Sequence, residues 1–147
     1  MIKKISYILF LFLSAIDYLI KLLNEKGFLI YFYDFNNTKL YKNIVLLNKK
    51  LIFFCPNSIV YWRVETLLTK EPETIKWINS FKNKQNIIFW DIGSNIGLYS
   101  IYNSIKNNKT KTIAFEPSTS NLRVLSRNIF INNLDKKIKI FPVALTK

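Results

Sequence analysis

The residues best placed to do chemistry are two carboxylates and two glycines. Asp91 ends an apolar run, Ile87-Ile88-Phe89-Trp90. Gly93, Ser94, Asn95 and Gly97 follow at once, and a second apolar run starts at Leu98. This is the pattern of a buried strand, a sharp turn and a helix. Glycine lets a backbone turn and lets a ligand approach, because no Cβ intervenes. The next helix aims its unpaired N–H groups at the same spot. Glu116 lies 25 positions after Asp91 (116 − 91) and closes the next apolar run. A carboxylate there can accept both hydroxyl protons of a ribose. Histidine is absent from the chain, which removes imidazole acid–base chemistry and the commonest metal ligand.

The glycine spacing discriminates between ligands. A dinucleotide turn reads G-x-G-x-x-G and seats a pyrophosphate. Here it reads Asp91-x-Gly93-x-x-x-Gly97, with Asn95 where a middle glycine would stand. An acid two residues before the first glycine suits a ligand with an ammonium group and no phosphate. S-adenosylmethionine has that chemistry. The plainer reading is a glycine needed only for close helix–sheet packing. A nicotinamide-dependent dehydrogenase is disfavoured by the missing middle glycine.

The positioning elements follow from periodicity. The first core strand is expected at about 87–91, a helix at about 95–105 and a second strand at 112–116. Pro117 stops that strand, and Ser118 or Thr119 is a fair N-cap. The next helix presents Leu122, Leu125 and Ile129, and a third strand is expected at 139–144. The order β-α-β-α-β begins a doubly wound α/β sheet. Upstream, Lys70-Glu71-Pro72-Glu73-Thr74 has helix-start chemistry. Its plain reading is a capped helix with Ile75, Ile78 and Phe81 on the apolar face. The functional alternative is a lid whose Glu71 or Thr74 reaches the ligand.

These segments resemble the FkbM family of S-adenosylmethionine-dependent methyltransferases. The resemblance is carried by FWDIGSNIGLYS, IAFEPSTSNLRVLSRNIFINN and IFPVAL, with KEPETIKWI upstream, and covers about residues 69–145. It implies a class I methyltransferase fold, a Rossmann-like sheet, of which this chain supplies strands 3, 2 and 1. It implies that Asp91, Gly93, Ser94, Asn95 and Gly97 frame the methionine part of the cofactor, with Ser94 where many members have alanine. Glu116 would hold the ribose. Pro117 and Ser118 would lie near the adenine, and Asn121 matches the family's asparagine in the following helix. Members typically methylate hydroxyls, so a small-molecule or glycan acceptor is implied. No catalytic base can be named from these residues.

The family's sheet has seven strands in the order 3-2-1-4-5-7-6, so the chain is expected to be an incomplete methyltransferase domain. Its strand 1 would become an exposed apolar edge, prone to aggregation, and the chain alone would catalyse nothing measurable.

The first 68 residues are expected to form an N-terminal helix and a β-rich extension, preceding a domain over 69–147. Ile5, Leu9, Phe12, Ile16, Leu19 and Leu23 recur at helical spacing, and Lys26-Gly27 suits the helix end. A packing helix is the leading reading. Membrane-surface contact through residues 1–23 and a signal segment are the alternatives. Residues 28–34 are aromatic and β-prone, and 40–47 with 50–54 suggest strands or a hairpin. A helix is expected over 61–68.

Lys and Arg total 22 against 9 Asp and Glu, a formal charge of +13. Lysine dominates and is dispersed, so no specific nucleic-acid partner is expected, although a basic nucleotide- or RNA-binding module is the alternative function. The single cysteine, Cys55, excludes an intrachain disulfide and reads as a core residue. The cofactor implies a cytoplasmic location, with membrane association through the N-terminal helix as a further option.

Overall fold

A computed structural model of the chain describes residues 1–37, 39–81 and 87–145. Residues 146 and 147, at the end of the expected second domain, lie outside the described residues. Contacts group the chain into two compact units, Met1–Leu40 and Tyr41–Lys147.

The first unit contains two helices, α1 (Ile2–Asn24) and α2 (Leu29–Asn37). Helix α1 ends where Glu25 turns left-handed (φ 58°), and the Glu25 N–H closes back on the Lys21 carbonyl at 3.0 Å. Residues 29–37 are helical, which corrects the β-prone reading of 28–34. The Asp17 carboxylate accepts the Leu29 N–H at 2.8 Å and so satisfies an orphan donor of the first turn. This tertiary cap outweighs the β preference of the aromatic side chains.

The second unit opens with a hairpin of β1 (Tyr41–Leu46) and β2 (Lys49–Phe54), paired antiparallel. Leu47 and Asn48 both have positive φ, 50° and 60°, as a two-residue type I′ turn requires. Helix α3 (Ser58–Glu65) follows, its N-terminus capped by the Asn57 side chain accepting the Val60 N–H at 3.0 Å. It begins and ends three residues earlier than the 61–68 reading. Helix α4 (Pro72–Asn79) carries Pro72 in its first turn. Then come β3 (Ile88–Ile92), α5 (Leu98–Lys106), β4 (Lys111–Phe115), α6 (Thr119–Ile131) and β5 (Ile138–Phe141).

The three later strands form a parallel sheet in the order β3-β4-β5. Asp91 pairs with Ala114 and Ile92 with Phe115, so Asp91 and Glu116 come to the same carboxyl edge. Two boundaries differ from expectation. Helix α5 begins at Leu98, not near Asn95, because Asn95 (φ 52°) and Gly97 (φ 85°) are both left-handed. Strand β5 stops at Phe141, not Ala144, because Pro142 has no N–H to continue a ladder.

Fully buried Phe53, Ile78, Ile96, Ile101 and Leu125 anchor the core of this unit. Cys55 is buried there too, and burial pushes its thiol up, as suits a core residue. Along β3 the pattern alternates: Phe89 and Asp91 are buried, whereas Ile88, Trp90 and Ile92 are exposed. Between α5 and β4 lies a polar seam. The Asn103 amide donates to Thr110 Oγ1 at 2.9 Å and to Thr112 Oγ1 at 3.0 Å, and itself accepts from Asn107 at 2.9 Å. These bonds satisfy buried polar groups that would otherwise cost stability.

The hairpin is tied to the sheet unit through α6. Asn128, fully buried, accepts the Phe54 N–H at 2.8 Å and donates to the Ile96 carbonyl at 3.0 Å. Asn132 accepts the Ile52 N–H at 3.0 Å and donates to the Ile52 carbonyl at 2.7 Å. A side-chain amide thus pairs with the free edge of β2 as a further strand would.

Candidate functional site

The site forms where β3 turns into α5. The Gly93 and Ser94 N–H groups both donate to the Phe115 carbonyl at 2.9 Å. The turn from β3 is thereby fastened to the end of β4. The Gly97 N–H donates to the Ser94 carbonyl at 2.8 Å and completes a tight loop.

The two glycines do different work. Gly93 has φ 75°, and a Cβ built on it meets nothing within 4 Å. The space above it is open, as a close-approaching ligand requires. Gly97 has φ 85°, and a Cβ there would lie 2.5 Å from Leu125 Cδ1. Its glycine allows close packing against Leu125 of α6, not against the sheet.

Glu116 is buried and stands behind the loop. Its Oε2 accepts the Asn95 N–H and its Oε1 accepts the Ser118 N–H, each at 2.8 Å. Each oxygen retains a second lone pair. Glu116 therefore joins the glycine loop to the start of α6. Ser118 is the N-cap of α6 by position, but its hydroxyl makes no capping bond and instead pairs with the Ser120 hydroxyl at 2.9 Å.

Asp91 is 8 % exposed. The Ser100 N–H and hydroxyl both donate to its Oδ2, at 2.9 and 2.5 Å. The carboxylate thus caps the first turn of α5 from the strand. Burial pushes the Asp91 carboxyl above the usual carboxylate range; the Ser100 bonds oppose this, and the nearby charges of Glu71 and Glu116 add to it.

A cavity of about 510 Å³ opens over this loop. It takes in Asp91, Gly93, Ser94 and Asn95 of the sequence-derived set, whereas Gly97, Glu116, Pro117, Ser118 and Asn121 do not line it. Glu116 touches the loop through the Asn95 N–H, and Asn121 is half-buried on α6.

The opposite wall comes from α3 and α4 and was largely missed by sequence reasoning. Arg63, on the last turn of α3, donates from Nη1 to the Asn95 side-chain oxygen. Glu71 precedes Pro72 but makes no side-chain capping bond; with Thr74 and Tyr99 it lines the cavity. The helix nevertheless starts at Pro72, where the plain reading puts it. Burial, followed by the charge and hydrogen bond of Glu71, pushes the Tyr99 phenol upward. The cavity therefore presents a guanidinium and two carboxylates around an open glycine. That arrangement suits a zwitterionic ligand. The one sequence signal for this wall was the Glu71–Thr74 lid reading; Arg63 sat in a segment read only as helical. Among the described residues no cluster of His, Cys, Asp and Glu could hold a metal ion.

No protein-family model matches the chain. A 56-residue segment is 39 % identical to the methyltransferase sdnD of Sordaria araneosa; it is 38 % of this chain and spans only 22 % of that relative's length. Several solved structures superpose in part, among them two methyltransferases. One is the C-terminal domain of precorrin-6Y C5,15-methyltransferase from Rhodobacter capsulatus, at 20 % identity, 52 % of this chain, 40 % of that chain and a TM-score of 0.44. The other is an S-adenosylmethionine-dependent methyltransferase from Agrobacterium tumefaciens, at 11 % identity, 70 % of this chain, 32 % of that chain and a TM-score of 0.46.

Proposed function

We propose that this chain carries the S-adenosylmethionine-binding portion of a methyltransferase of the FkbM type, acting on a hydroxyl of a sugar or metabolite. The observation that carries the reading is Gly93. It sits at the carboxyl end of a parallel strand with open space where a Cβ would be, beside Asp91 and the Asn95–Glu116 bond. The 39 % identical segment shared with a named methyltransferase supports the same reaction class.

The residues present fit the cofactor. Asp91 and Glu71 offer carboxylates to its ammonium, and Arg63 offers a guanidinium to its carboxylate. Glu116 retains lone pairs for the ribose hydroxyls, and by the family resemblance Pro117, Ser118 and Asn121 would lie toward the adenine. When bound, S-adenosylmethionine supplies an electrophilic methyl group on a sulfonium. The protein's share is to hold that group in line with the acceptor oxygen and keep the site dry. The acceptor hydroxyl's proton needs a base outside the residues named here, because Asp91 and Glu116 are committed to the loop. A cytoplasmic location is part of the same reading, since it rests on use of this cofactor.

Thermal unfolding of the full chain with S-adenosylhomocysteine or NAD tests the reading. At about a hundredfold excess over Kd, a ligand specific to the folded state adds about 2.7 kcal/mol. S-adenosylhomocysteine is expected to raise Tm by several degrees and NAD to leave it unchanged. The reverse result would replace the methyltransferase by a dinucleotide enzyme.

A further inference from the structure

The unit Met1–Leu40 is built with its polar group inside and its apolar groups outside. Asp17, the one acid in the first 24 residues, is 3 % exposed. Lys21 Nζ pairs with its Oδ2 at 2.8 Å, and the Leu29 N–H donates to its Oδ1 at 2.8 Å. Gly27 lies against the same carboxylate, where any Cβ would collide with it. Asp17 is the only buried residue of α1. Around it, Ile5, Ile8, Leu9, Phe10, Leu11 and Phe12 are all exposed and cover every side of the helix. A helix that is apolar all round belongs in a core or a membrane.

We propose that α1, locked to α2 through Asp17, inserts into a lipid bilayer as an anchor. Four features identify the occupant as lipid. Helix α1 has 23 residues, and its uncharged stretch over 5–16 is 12 residues (16 − 5 + 1), about 18 Å at 1.5 Å per residue, which enters a hydrocarbon core of ~30 Å from one side. Lys3 and Lys4 at its start match anionic headgroups. The polar groups of the hairpin gather around the Asp17–Lys21 pair, with Lys26 and Asp34 lining a common cleft, so the remaining surface of α1 has no charge to desolvate between Lys4 and Asp17. Exposed Tyr31 on α2 suits the headgroup boundary, where a ring with a polar tip is favoured.

The test is flotation of the full chain with vesicles of equimolar phosphatidylcholine and phosphatidylglycerol. The chain is expected to float, to stay bound through high-salt and alkaline-carbonate washes, and to gain protection of Lys21 and Lys26 from trypsin. The double variant Leu9→Glu, Phe12→Glu is expected to lose binding by about tenfold or more, since each buried charge opposes insertion. The protection readout on the unmodified chain stands even where that variant misfolds. Sedimentation without vesicles, release by salt alone, or cleavage within residues 1–27 by a signal peptidase in translocation-competent membranes would each overturn the proposal. None of these outcomes bears on ligand binding at Asp91–Gly97.

Discussion

Two aspartates are buried in this chain for opposite purposes. Asp17 has a lysine ammonium on one oxygen and a backbone N–H on the other. Asp91 has two donors, both from Ser100 and both on Oδ2, and among the described residues no cation pairs with it. The first carboxylate is satisfied by its own unit and holds a helix hairpin shut. The second is left unneutralised beside an open glycine. Burial without a counter-charge costs folding free energy, and such a cost at a cleft marks a group kept for a ligand. Burial alone separates neither case from the other; the identity of the partners does.

The contrast can be broken by substitution. The largest effects fall on the loop that frames Asp91. Gly93→Val is expected to abolish binding of S-adenosylhomocysteine by isothermal titration, at least about a hundredfold, because the side chain fills the ligand's space. Gly97→Ala is expected to act on folding instead, lowering stability by about 2–4 kcal/mol in urea, through overpacking on Leu125 and strain at positive φ. Asn128→Ala comes next, at about 2–3 kcal/mol, since it strands the Phe54 N–H and frees the Ile96 carbonyl.

Asp91→Asn sharpens the comparison. Its amide oxygen can still accept from the Ser100 N–H, and the desolvated charge is gone. Tm is expected to hold or rise while ligand affinity falls about tenfold or more, a trade typical of strained sites. The pH dependence has a defined sign. The Asp91 carboxyl is raised in the folded state, so the folded chain holds its proton more tightly than the unfolded chain. Its contribution to stability is therefore greatest below the ordinary carboxylate range and is lost as pH rises through the folded value. Asp91→Asn should flatten that part of the pH–stability curve. Asp17→Ala should have the smallest effect, confined to α2 and seen as faster amide exchange at Leu29 with no change at Asp91.

The cradle was legible in the sequence because its requirements are local. Only glycine suits the φ of 75° and 85° at positions 93 and 97, and Glu116 follows its strand directly. The element sequence β-α-β-α-β followed from the alternation of apolar runs and helical faces, whereas the order of the strands in the sheet came from the family resemblance. What could not be read were the contacts made across long separations. Arg63 reaches Asn95 over 32 residues, and Asn128 reaches Phe54 over 74. Neither spacing leaves a periodic trace. The helix over 29–37 was hidden for the same reason, since its cap comes from Asp17 on the preceding helix. Glu71 explains itself locally as a helix-start acid, and its place on the cavity wall depends on the fold that sets α4 beside the loop.

The central claim is that the loop from Asp91 to Gly97 receives a nucleoside with an amino-acid tail and no phosphate. Isothermal titration of the folded full chain with S-adenosylhomocysteine, with Gly93→Val alongside, tests it most directly. Saturable one-to-one binding that Gly93→Val eliminates without loss of helical circular dichroism is the predicted result. A folded chain that takes up no S-adenosylhomocysteine, or a Gly93→Val variant that binds it as well as the parent, would contradict the account.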